Sequence, residues 1–273
     1  MRQRAYQTDY HVHTARCGHA GGEMREYVLT ALGRGLAEIA FTDHIPLYFL
    51  PGEDPDPRIA MTRAELPGYV EEVRALEEEV AGRIDVLLGL EADYAEGHEA
   101  ALEEILRVYD WDVVLGSVHW VAGGWIDAPG SAKRHEAEGT ANLWREYYRL
   151  LAKAAKSGLF DVLTHFDLPK KFGHRMPPAV SDAQDAAVAA ARDAGVAVEV
   201  SSAGLRKAVG EEYPAPPLLR SLVTAGVPIV FSSDAHAPPE VAWGREKIEA
   251  AAHAAGARKH LSFRKRERRR HPL

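Results

Sequence analysis

A single cysteine, Cys17, is present in 273 residues, so an internal disulfide framework is excluded and a reducing compartment is favoured. Sulfur ligands are nearly missing with it, which removes a cysteine-bound structural zinc. No apolar stretch approaches a membrane span, which needs about 18 residues. Met1-Arg2-Gln3-Arg4 leads into a strand and not into the apolar region of a signal peptide, so the expected location is the cytoplasm, with no membrane partner. No G-x-G-x-x-G lies between a strand and a helix, and there is neither a Walker A loop nor a G-x-S-x-G elbow. A large excess of one charge is also lacking: the net charge of −7 and pI near 6.0 give no global attraction to nucleic acid.

What is present fits one large α/β domain. Hydrophobic residues at 46% and charged residues at 27% are ordinary for a globular chain and leave enough apolar surface for a sizeable core. Short apolar runs read as strands, and most end in histidine, aspartate or glutamate. Tyr10-His11-Val12-His13 is the first; Ile39-Ala40-Phe41-Thr42 runs into Asp43 and His44, and Val86-Leu87-Leu88-Gly89-Leu90 into Glu91. The runs at 113–118, 162–164 and 229–233 lead to His119, His165 and the pair Asp234 and His236. Between them, 23–34, a segment from about 69 to 81, 100–108, 142–156, 181–194, 215–225 and 238–255 carry apolar residues at helical spacing. Strand and helix alternate, which specifies a parallel sheet with right-handed crossovers. Seven strands without a switch-point fingerprint point to a closed or nearly closed barrel. The proline-rich stretch from Ile45 to Pro57 is too apolar for a plain linker and is expected to form a lid.

Imidazoles and carboxylates at the same end of successive parallel strands converge on one mouth, where barrel enzymes keep their active sites. His11 and His13, two apart on a strand, point to one face and can bind one cation together. Nitrogen and oxygen ligands suit zinc, iron or manganese. His98, His135, His174, His253, His260 and His271 lack strand-end partners and read as ordinary residues, as do the tryptophans, with Trp120 and Trp125 flanking the mouth after His119.

The order His11-x-His13, His19, Asp43-His44, Glu91, His119, His165 and Asp234-Ala235-His236 resembles the polymerase-and-histidinol-phosphatase superfamily, from residue 9 to residue 236. Within it, His13-Thr14-Ala15-Arg16-Cys17-Gly18-His19-Ala20, Gly116-Ser117-Val118-His119, His165-Phe166-Asp167-Leu168 and Ser201-Ser202-Ala203-Gly204-Leu205-Arg206-Lys207 are similar to stand-alone histidinol-phosphate phosphatases. The resemblance implies a distorted seven-stranded (β/α)7 TIM-like barrel holding two or three divalent ions. By the same resemblance His11, His13, Glu91 and Asp234 hold a first ion, Glu91 bridges to a second on His119 and His165, and His19, His44 and His236 hold a third. Cys17 is no ligand in that scheme and reads as a small packed residue. Glu91, Asp234 and Asp43 are the expected catalytic carboxylates, with Asp43, a water at the metals or solvent as alternative proton donors to the leaving group.

Arg206 and Lys170 follow strands and are expected to meet the phosphate, alongside His44, although Lys170-Lys171 also reads as surface charge. The implied activity is hydrolysis of L-histidinol phosphate to L-histidinol and phosphate in histidine biosynthesis. The alternatives are a nuclease or phosphodiesterase with the same metals, and a metal-stabilised binding domain without turnover. A small phosphomonoester is the expected partner, with no nucleic acid, and a homo-oligomer stays open. Residues 1–260 are expected to form one metal-dependent phosphatase domain and 261–273 a basic, solvated tail.

Overall fold

The aliphatic and β-branched runs form seven strands in the computed structural model, which describes residues 6–52, 56 and 58–273. They are β1 (Thr8–Val12), β2 (Glu38–Phe41), β3 (Asp85–Asp93), β4 (Val113–Ser117), β5 (Val162–Leu163), β6 (Ala197–Ser201) and β7 (Ile229–Ser232). Their spatial order is their chain order and every neighbouring pair is parallel. Past the end of β7, Ala235 exchanges backbone hydrogen bonds with His11 and His13 at 3.1 and 2.9 Å, which brings the last strand back to the first. The result is the nearly closed, distorted (β/α)7 barrel implied by the sequence.

Helices α1 (Met24–Arg34), α2 (Leu66–Glu79), α3 (Glu99–Leu106), α4 (Thr140–Ser157), α5 (Ser181–Ala194), α6 (Pro216–Ala225) and α7 (Arg245–Ala255) cover the outside of the sheet. Gly35 ends α1 in a left-handed conformation that the missing Cβ makes easy, as its position after the apolar period predicts. Two helix starts differ from expectation. α2 begins at Leu66 and takes Pro67 into its first turn, where the absent N–H has no partner to lose. The last helix begins at Arg245 and not at 238, because Gly244 turns left-handed and a separate 3-10 turn, Pro238–Glu240, precedes it.

A large apolar cluster lies between strands and helices, and a smaller one, with Tyr10, Leu87, Leu115, Val162 and Val230, fills the barrel itself. That inner core is closed from below by residues that the sequence reading assigned to a tail. Residues 261–273 are not a solvated extension: β8 (Lys259–Arg264) and β9 (Glu267–Pro272) pair antiparallel, and Leu261 and Phe263 pack among the inner residues of the barrel. The Phe263 amide donates to the Tyr10 hydroxyl at 2.7 Å. Arg264 pairs with Glu77 and Arg266 with Asp161, so part of the basic run is spent on tying the hairpin to neighbouring elements. Of the expected lid, residues 53–55 and 57 lie outside the described residues. Tyr48 donates to the Asp93 carbonyl, and Phe49 meets Trp120 and Trp125 at ring distances of 6.2 and 6.3 Å.

Candidate metal centre

The first ligands are placed by an irregularity in β1. Asp9 pairs with Ile39 and Val12 with Phe41, so β1 carries one more residue than β2 between those points. Such a bulge re-aims side chains, and here Tyr10 packs inside the barrel while His11 and His13 reach the upper mouth. Glu91 lies within β3, two residues before its end at Asp93. His119, His165, Asp234 and His236 follow β4, β5 and β7. Asp234 adopts a left-handed backbone conformation, φ 51°, which is costly for most residues and typical of functional turns.

All nine expected ligands meet at this mouth. Candidate donor atoms within 4.8 Å of one another come from His11, His13 and Asp234; from His13, His44 and Glu91; from Glu91, His119 and His165; and from His19, His44 and His236. Glu91 is central. Its Oε2 lies 3.2 Å from His11 Nε2 and 3.0 Å from His44 Nδ1, and its Oε1 lies 3.2 Å from His165 Nε2. His119 and His165 face each other Nε2 to Nε2 at 3.2 Å, and His19 and His236 do so at 3.0 Å.

Three buried atoms, His11 Nε2, His13 Nε2 and Glu91 Oε2, make no hydrogen bond. Leaving buried polar atoms unsatisfied is expensive, and facing imidazole nitrogens offer lone pairs to a common point, so this donor set fits divalent cations. The far sides of the rings support the same reading. Glu199 holds His11 Nδ1 at 2.9 Å, Asp93 holds His119 Nδ1 at 3.0 Å and Asp43 lies 3.4 Å from His13 Nδ1. The backbone carbonyls of Cys17 and Asp234 accept from His19 and His236 at 2.8 and 3.1 Å. Carboxylates and carbonyls behind imidazoles fix the tautomer and aim Nε2 at a metal.

Charge separates the mouth into two halves. Burial disfavours the imidazolium form of His13, but the Asp234 and Asp43 carboxylates beside it push it up to about 9, and the Asp93 and Glu91 carboxylates push His119 up to about 10 against the same penalty. Glu91 and Asp234 are held well below the ordinary carboxylate range, despite burial, by the surrounding imidazoles. His19 and His236 shift the other way, through burial and through neighbouring rings of like charge.

Three expected site residues have surroundings that the sequence did not reveal. Asp43 is fully buried, and its oxygens are taken by Thr14, by the His44 amide and by His13. It supports His13 and does not line the cavity. Lys170 is buried as well, 2.9 Å from Asp167 and 3.1 Å from Glu211, and its ammonium is consumed in that network. Arg206 donates through Nη2 to the carbonyls of Ser233 and Asp234 at 2.8 and 3.0 Å and lies beside Glu240, so it braces the turn that presents Asp234, while its buried Nη1 makes no hydrogen bond. The cations that line the mouth are instead Lys171 and Lys207, each one residue further along. Residue type could not separate Lys170 from Lys171, because only the direction of the 3-10 turn Leu168–Phe172 does so. Glu199 and Asp93 were missed although they sit on strands; a buried acid in an apolar run was the available signal.

A cavity of about 600 Å³ adjoins the candidate ligands and is lined among others by His44, His119, Trp125, Asp93, Asp127 and Lys171. Lys171 pairs with Asp127 at 2.9 Å. Of the expected ordinary histidines, none lines this cavity.

Comparison with known proteins adds to this geometry. The PHP domain family matches residues 9–203. A probable histidinol-phosphatase of Deinococcus radiodurans is 44% identical over 236 residues, 85% of this chain and 87% of its own length. The histidinol-phosphatase of Bacillus subtilis is 28% identical, covering 87% and 96% of the two chains. Among solved structures, the histidinol phosphate phosphatase of Lactococcus lactis, complexed with zinc, L-histidinol and phosphate, has a TM-score of 0.83 at 19% identity, over 97% of this chain and 99% of that one. That likeness supports the fold.

Proposed function

Since the chain belongs to the PHP domain family, we propose that it is a metal-dependent phosphomonoesterase that hydrolyses L-histidinol phosphate to L-histidinol and phosphate, a step of histidine biosynthesis. The observation that carries the metal part is the set of buried, hydrogen-bond-free atoms on His11, His13 and Glu91, aimed at one mouth and backed by Glu199, Asp43 and Asp93. The substrate follows from the histidinol-phosphatases of Deinococcus radiodurans and Bacillus subtilis, which this chain matches along most of their length.

Two or three divalent ions, zinc, iron or manganese, would be held by His11, His13, Glu91 and Asp234, by Glu91, His119 and His165, and by His19, His44 and His236. When bound, the cations neutralise a phosphate dianion, acidify water and clamp the oxygens of an in-line displacement. The chain's own part is to position and to exclude. Glu91, with the imidazoles of His11, His13, His44, His119 and His165 within 3.8 Å of its carboxylate, would balance charge between neighbouring sites. Arg206 fixes the Asp234 turn through its two carbonyl contacts. Lys207 and Lys171 add positive charge at the rim, where phosphate oxygens would lie. Trp125 with Asp93 and Asp127 forms a wall suited to the flat ring and ammonium group of an amino alcohol. A cavity of about 600 Å³ and the acidic net charge favour a small monoester over a polynucleotide, and the chain is read as a cytoplasmic enzyme formed by one phosphatase domain.

A phosphate-release screen pairing L-histidinol phosphate with other phosphomonoesters and a phosphodiester tests class and substrate together. The proposal expects histidinol phosphate to give the highest kcat/KM. Preference for the diester would replace it with the phosphodiesterase reading.

A further inference from the structure

Cys17 has no part in the ligand scheme above, yet it ends the 3-10 turn Ala15–Cys17 between His13 and His19, with its side chain fully buried. Its sulfur and one ring nitrogen each of His13 and His236 all lie within 4.8 Å of one another. His13 is 1% exposed and its Nε2 makes no hydrogen bond. His236 presents its Nε2 toward His19. Two nitrogens and a sulfur converging on one point form a softer donor set than any other group at the mouth, where the rest are imidazole and carboxylate.

We propose that His13, Cys17 and His236 form an alternative site for a thiophilic divalent cation such as Cd²⁺, and that occupancy of this site inhibits the enzyme. Binding breaks the Cys17 S–H bond, forms a sulfur–cadmium bond and releases the proton to solvent. Inhibition follows from shared ligands. His13 also serves the groups with Asp234 and with Glu91, and His236 serves the group with His19 and His44. A ring nitrogen bound to one cation is lost to another, so one soft cation here depletes the neighbouring positions.

The inference rests on reading the mouth as a metal centre, and a spectroscopic test keeps the two apart. The full chain is loaded with Cd²⁺ alone, cadmium uptake is measured by elemental analysis, and the ultraviolet thiolate-to-cadmium charge-transfer band is recorded for wild type and Cys17→Ser. Because the sequence holds one cysteine, any such band reports Cys17. The expected result is a saturating band in wild type and its complete loss in Cys17→Ser, which still takes up cadmium through nitrogen and oxygen ligands. Cadmium uptake by wild type without the band overturns the cysteine site and leaves the metal centre standing. Failure of wild type to take up either cadmium or zinc overturns both. The wild-type spectrum decides even where the serine variant fails to fold.

Discussion

Neighbouring lysines with the same side chain have opposite surroundings here. Lys170 is enclosed by Asp167, Glu211 and the Glu212 carbonyl, whereas Lys207 and Lys171 line the mouth. Replacing Lys170 with alanine leaves Asp167 buried without its cation and is expected to cost about 3–5 kcal/mol of stability, read as a lower urea midpoint. Lys207→Ala should leave the midpoint nearly unchanged and lower kcat/KM on histidinol phosphate by roughly 10- to 100-fold, the scale of one lost charge-assisted contact. The opposite pattern would return Lys170 to the substrate. Glu199 gives a second contrast, since it touches His11, the His165 amide and Ser232 but not the cavity. Glu199→Gln is expected to weaken zinc affinity by about 10- to 100-fold, as for other carboxylates behind metal-bound imidazoles. A titration showing unchanged affinity would remove that role.

Strands and helices were legible because their apolar periods differ, and the nine histidines and acids at or near one end of the strands, with His19 in the loop after β1, were legible because one barrel mouth collects them. Directions within short turns were not. Whether Lys170 or Lys171 points into the mouth depends on a single 3-10 turn, and the bracing role of Arg206 depends on where two carbonyls of another loop come to rest. The hairpin β8–β9 was hidden for a related reason: its charges dominate the composition of 264–270, while the residues that matter are Leu261 and Phe263, which fit the open bottom of the barrel. Phe263→Ala should therefore destabilise the protein by about 3–5 kcal/mol, as for other buried phenylalanines. A change under about 0.5 kcal/mol, as expected of a surface position, would restore the description of a solvated tail.

For the whole molecule, cations and protons compete for one mouth. His13 and His119, raised to about 9 and about 10, carry protons at neutral pH when no cation is present, and His11 is raised as well. A metal ion needs neutral imidazole, so binding must release these protons, and affinity must increase as pH rises from about 7 toward 9. Calorimetry in buffers of different ionisation enthalpy is expected to show net proton release on zinc binding at pH 7; zero release would contradict the charge distribution described for the site. The central claim is that the chain hydrolyses histidinol phosphate only with metals in this mouth. Its most direct test is phosphate release from L-histidinol phosphate by chelated protein and by the same protein after zinc, manganese or iron is restored, with metal content measured in each sample. The account predicts loss of activity on chelation and recovery on restoration. Full activity in protein verified to be metal-free would contradict it.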